Sequence, residues 1–176
     1  MLFLPGITAF VLFIIFDLNK IKWHKAMFNI LFPLGGVLLL MSTVLCILAS
    51  PAVPRLDLRT VLSLMGVLLS ALALVYTLFF ALPFSGTYKS SGELPLVSGG
   101  VYGLCRHPGF WPFLLLYVFL WLAFGGRLLF LAMLIFSACN LLYIIIQDRY
   151  IFPLYIAGYD SYKKAVPFLI PRRRAD

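Results

Sequence analysis

Arg106-His107-Pro108 stands between two long apolar stretches, within the segment LVSGGVYGLCRHPGF that runs from Leu96 to Phe110. An ionisable pair at the edge of hydrocarbon is costly unless it is paired, solvated or used, so this pair is a candidate site. Proline suits the first position of a helix, where its missing N–H would be unsatisfied anyway. The sequence therefore predicts a helix starting at Pro108 with His107 at its mouth. The free amides there and the positive end of the dipole would attract a carboxylate or phosphate. A second polar group, Gln147-Asp148-Arg149, closes the last apolar stretch. Asp148-Arg149 reads either as part of the same site or as an interfacial salt bridge. Cys105, beside Arg106, is either a thiol activated by the neighbouring cation or a small packing residue. His24, in KIKWHK, reads as a solvated loop residue beside an interfacial Trp23. Two histidines and six acids among 176 residues offer no set of three or four converging ligands, so no metal site is expected. Cys46, Cys105 and Cys139 show no CxxC spacing and predict no disulfide framework.

The elements that must position these groups are apolar. Hydrophobic residues make up 63% of the chain and charged ones 11%, with a mean hydropathy of +1.04. Soluble domains hold roughly 45–50% apolar and about 25% charged residues, so the chain reads as an all-α, polytopic integral membrane protein in a single domain over residues 1–176. Apolar windows at about Leu2 to Phe16, Met27 to Ala49, Thr60 to Leu82, Pro108 to Phe124 and Leu128 to Ile146 predict five transmembrane helices. Asp17 reads as the end of the first and Asp57 as an outward-loop partner of Arg55 and Arg59. Gly35, Gly36 and Gly66 read as places of close helix packing.

The positive-inside rule sets the expected orientation. Lys20, Lys22, Lys25, Lys89, Arg106, Arg149, Lys163, Lys164 and Arg172 to Arg174 fall on one side, leaving only Arg55, Arg59 and Arg127 on the other. The amino terminus is then outside and the carboxyl terminus cytoplasmic, in a bacterial inner membrane or the endoplasmic reticulum. Anionic lipid heads account for the net charge of +8 without any nucleic acid. On this topology the Arg-His-Pro segment and the groups after the last span share a side, and the last helix would carry Gln147-Asp148-Arg149 toward Arg106-His107.

Taken together, these segments resemble a known family. LVSGGVYGLCRHPGF is similar to the LVTSGxYxxxRHPxY signature of isoprenylcysteine carboxyl methyltransferases and their bacterial relatives. Tyr159-x-x-Tyr162-Lys-Lys-Ala-Val166-Pro167-x-x-x-Pro171 is similar to the family's YxxYxxxVPxxxP tail. The similarity covers residues 93–172, a methyltransferase-like, cofactor-binding half. The resemblance implies an S-adenosylmethionine-dependent methyltransferase with a cytoplasmic cofactor pocket and a lipophilic acceptor arriving from the bilayer. It implies cofactor contacts at Leu94, Pro95, Leu96, Val97, Tyr102, His107, Pro108, Gly109, Phe110 and Gln147, and catalytic roles for Arg106, Asp148 and Arg149. Where the family has a pair of glutamates this chain has Gln147 and Asp148. Where it has tyrosine and arginine the chain has Phe110 and Phe168. A cation that prenylcysteine enzymes hold four residues before the acidic pair is Tyr143 here, which makes Tyr143 the candidate substrate residue and argues against a carboxylate acceptor unless Arg149 substitutes. The rival reading is a noncatalytic, lipid-binding or partner-binding scaffold of the same fold. A nicotinamide-dependent reductase would call for a glycine-rich nucleotide fingerprint, which the chain lacks.

Overall fold

The computed structural model describes residues 1–50, 57–81 and 96–171, and all of its regular elements are helical. The long helices are α1 (Leu4–Leu18), α2 (Leu31–Leu48), α3 (Leu58–Val75), α5 (Phe110–Phe124) and α6 (Arg127–Ile146). Among the described residues the short α-helices are α4 (Val101–Leu104), α7 (Phe152–Tyr155) and α8 (Tyr159–Ala165), and a 3-10 turn over Ala26–Ile30 leads into α2. Wider π turns prolong α1 through Asn19–Trp23, α3 through Tyr76–Phe80 and α6 through Gln147–Ile151. Four continuous helical stretches are long and apolar enough to cross a membrane: Leu4–Trp23, Ala26–Leu48, Leu58–Phe80 and Arg127–Tyr155. The fifth apolar helix, Phe110–Phe124, has 15 residues and a length of about 22 Å at 1.5 Å per residue.

Asp17 lies one residue before the end of α1, and the π turn carries the helical path on to Trp23, so that the chain turns only at His24, whose φ of 51° is left-handed. Asp57 caps α3 by accepting the Thr60 N–H at 2.8 Å. This is the role a short acceptor at a helix start performs best.

Close packing is set by small residues. A Cβ on Gly6 would lie 2.4 Å from the Phe136 ring, and on Gly66 2.5 Å from Phe119, which brings α1 against α6 and α3 against α5. Gly35 likewise admits Phe13, whereas Gly36 faces open space. Phe10, Phe113, Tyr117, Leu129 and Phe136 fill the centre, with Tyr117 hydrogen-bonded to Thr43 at 2.7 Å. Leucines on the outer faces of α2 and α3, such as Leu40, Leu48, Leu62 and Leu69, are exposed. Water would not tolerate so continuous an apolar surface, and lipid does.

Candidate functional site

The first residues of the site are fixed by the segment Val166 to Pro171, which crosses the Arg106-His107-Pro108 turn like a strap. The Arg106 N–H donates to the Pro167 carbonyl at 2.9 Å and the His107 N–H to that of Phe168 at 3.3 Å, while the Trp111 indole N–H donates to Leu169 at 2.8 Å. The strap therefore occupies the two amides that immediately precede Pro108. α5 starts at Phe110, two residues later than the proline predicts, with Gly109 as its cap.

Beneath the strap lies a buried ion cluster centred on Asp148, which is 4% exposed. Arg106 grips its carboxylate with two prongs, Nε to Oδ1 at 2.7 Å and Nη2 to Oδ2 at 3.1 Å. Its third nitrogen, Nη1, donates to the Lys163 and Val166 carbonyls. The Tyr159 hydroxyl donates to Asp148 Oδ1 at 2.7 Å, and Lys163 Nζ lies 3.4 Å from Oδ2. Burial and the adjacent carboxylate push the Tyr159 hydroxyl far above the ordinary tyrosine range, so it stays a donor. Tyr162, pushed up to about 12 by burial, donates to the Tyr102 carbonyl at 2.7 Å, and Tyr102 donates to the Thr77 carbonyl in the π turn of α3. These groups tie α3, α4, α6, α8 and the strap into one assembly. Arg106 and Asp148, read from the sequence as catalytic, are bonded to each other within this assembly, and Arg106 also borders the cavity described below.

His107 is held between the Phe152 ring, stacked at 5.8 Å, and the edge of Phe168 at 5.1 Å. Its Nε2 is 3.4 Å from Asp148 Oδ1, a contact outside hydrogen-bond geometry, and the buried atom has no hydrogen-bond partner among the described residues. Burial lowers the imidazole below the usual histidine value, against the pull of Asp148, and the ring is neutral at pH 7. Burial pushes the Cys105 thiol up, which favours the packing reading over an activated thiol.

A cavity of about 850 Å³ opens among these elements and α1, α2 and α6. Its wall gathers Leu96, Val97, Tyr102, Arg106, His107 and Pro108, continues through Gly109 and Phe110, and is met from α6 by Tyr143 and Gln147. Leu94 and Pro95 lie outside the described residues. Arg149, read from the sequence as catalytic, is exposed and is not among the residues that line the cavity. Among the described residues no three His, Cys, Asp or Glu side chains converge as metal ligands. The sequence reading missed Asp17, which lines the cavity beside Tyr143 and Gln147 and accepts from both at 2.8 Å. The available signal was a lone acid at the mouth of an apolar helix, since such a group inside a membrane is a functional candidate by default.

Comparison with protein-family models, with curated proteins and with solved structures finds no match to this chain.

Proposed function

We propose that the protein is a membrane-embedded, S-adenosylmethionine-dependent methyltransferase that acts on a lipophilic acceptor at the cytoplasmic face. One observation carries the reading. Tyr102, Arg106, His107 and Phe110 from the first segment that resembles the methyltransferase signature, and Tyr159 and Tyr162 from the second, separated by a helical hairpin in the sequence, line a single cavity whose lining is otherwise largely aromatic and apolar. Its volume falls within the roughly 300–1,000 Å³ of small-molecule sites.

The residues present fit the cofactor. His107 Nε2 is a buried polar atom without a hydrogen-bond partner among the described residues, and the faces of Tyr102 and Phe110 border the same space. Leu96, Val97, Tyr102, His107 and Phe110 would hold the group, aromatic faces being suited to a cationic centre. When bound, it supplies an electrophilic methyl on a sulfonium. The chain's own part is alignment and exclusion of water: the Arg106–Asp148 cluster fixes His107 and the strap, and the apolar walls keep the reacting atoms dry.

In this reading Phe110–Phe124 is a fifth, shortened span. The helix ends carrying Lys20, Arg106, Asp148 and Lys163 are joined by hydrogen bonds from Gln147 to Asp17 and from Arg106 to Asp148. The positive-inside rule makes that end cytoplasmic. Titration calorimetry of S-adenosylmethionine on the full chain in detergent tests the proposal. Binding weakened by about 1–3 kcal/mol in His107→Ala, the worth of one charge-assisted contact, supports it, with His24→Ala silent. Failure of the folded wild type to bind refutes it in favour of a noncatalytic scaffold.

A further inference from the structure

The wall of the cavity facing α1 carries a second polar cluster. Asp17, 4% exposed, accepts from the Tyr143 hydroxyl and from the Gln147 amide, both at its Oδ2 and both at 2.8 Å. Gln147 Nε2 and the Tyr143 hydroxyl are also 2.8 Å apart. These three side chains hold one another in place across 126 and 130 residues of sequence. Oδ1, the other carboxylate oxygen, accepts no hydrogen bond among the described residues, and Asp17 borders the cavity. A carboxylate oxygen that borders a cavity offers its lone pairs to a donor entering that cavity.

Three kinds of ligand head can be weighed against this wall. A carboxylate would meet Asp17 in a low-dielectric setting, where like charges repel strongly. A cation would be drawn to Asp17 but opposed by Lys20, whose ammonium sits 4.7 Å from the Phe16 ring centre on the same wall. Asp17 and Lys20 attract each other across this wall. A neutral O–H donor satisfies Oδ1 and disturbs neither. The surrounding rings select further: Phe13 and Phe16 pack against Phe32 at 5.5 and 5.3 Å, and Tyr143 lies 5.8 Å from Phe13. Such a surface accepts another ring by edge or offset stacking.

We propose that Asp17 recognises the acceptor and that the acceptor is a lipophilic phenol, its hydroxyl donating to Asp17 Oδ1 with its ring among Phe13, Phe16 and Phe32. The word acceptor rests on the methyltransferase reading, whereas recognition by Asp17 rests on the cavity alone.

A head-group series on one scaffold tests it. Radiolabelled 4-octylphenol is bound to the full chain in nanodiscs and displaced by unlabelled 4-octylphenol, 4-octylbenzoate, 4-octylbenzylammonium or octylbenzene. The expected result is that the phenol competes at least about tenfold better than each of the others, the worth of one buried hydrogen bond. In Asp17→Asn the benzoate should gain about tenfold relative to the phenol, because the repelling charge is gone. Equal or better competition by the benzoate or the ammonium in the wild type overturns the proposal, as does an unchanged ranking in Asp17→Asn. The wild-type ranking decides the matter even when that variant does not fold. Calorimetry with S-adenosylmethionine on the same preparation separates the two claims. Cofactor binding without phenol preference overturns this inference alone, whereas phenol preference without cofactor binding upholds recognition by Asp17 and overturns the enzyme reading.

Discussion

Replacing Asp148 by leucine should unfasten the strap, and the cost follows from what the carboxylate leaves behind. The Arg106 and Asp148 side chains are only 8% and 5% exposed. Without its partner the guanidinium keeps its contacts to the Lys163 and Val166 carbonyls but remains a buried, uncompensated charge. Breaking one side of such a pair costs about 3–5 kcal/mol, and the Tyr159 hydroxyl loses its 2.7 Å acceptor as well. Removing both charges is different, because a buried ion pair is close to break-even against apolar residues of similar size. Arg106→Leu with Asp148→Leu should therefore be clearly less damaging than the two single losses added together, with a coupling of more than about 1 kcal/mol. Unfolding in mixed micelles gives the stabilities, and hydrogen exchange at the Arg106 and His107 amides reports release of the strap. An Asp148→Leu cost below about 1 kcal/mol, or additive single and double variants, would refute the reasoning that these residues are structural clasps.

Stability should also depend on pH through His107. Burial holds its folded value below the ordinary 6.5, so the unfolded chain takes up a proton that the folded chain refuses. The neutral ring's contribution is fully present above about 6.5 and is lost as pH falls below it. Unfolding measured between pH 7.5 and 5 should show this slope, and His107→Gln should flatten it; an equal slope in the variant removes His107 as the cause. Gly6→Ala should destabilise by about 1–3 kcal/mol through its clash with Phe136, whereas Gly36→Ala, facing open space, should be near neutral. Thermal unfolding of the two side by side checks the helix contacts, and comparable losses would contradict them. Cysteines placed singly at Lys22 and Asp57 test the orientation: an impermeant reagent outside intact cells should label position 57 and spare position 22, and the reverse would turn the protein over.

The helices were legible because lipid demands long apolar runs, and the meeting of Arg106 with Asp148 was legible because both lie at the same end of neighbouring helices. Asp17 was not. A single acid at the edge of an apolar run looks the same whether it ends a helix or faces a cavity, and its two partners lie on the far side of the sequence. The start of α5 escaped for a related reason. Pro108 satisfies the local rule for a helix start, but the Phe110 N–H closes a turn on the His107 carbonyl and the first full helical bond runs from Phe113 to Gly109, a shift no local pattern records. A charged motif likewise looks the same in sequence whether it touches a ligand or fastens the wall behind it.

The clasp also imposes a timetable on synthesis. Arg106 emerges from the ribosome 42 residues before Asp148 and 57 to 60 residues before the two carbonyls that complete its coordination. At about 5–20 residues per second, an unsatisfied guanidinium waits for some seconds beside the bilayer. During that interval α5 can be threaded into the membrane but its entry turn cannot be locked. Closure of the clasp therefore waits for Val166, and a nascent chain stalled before that residue would present the quality-control machinery with a charged, half-built seam.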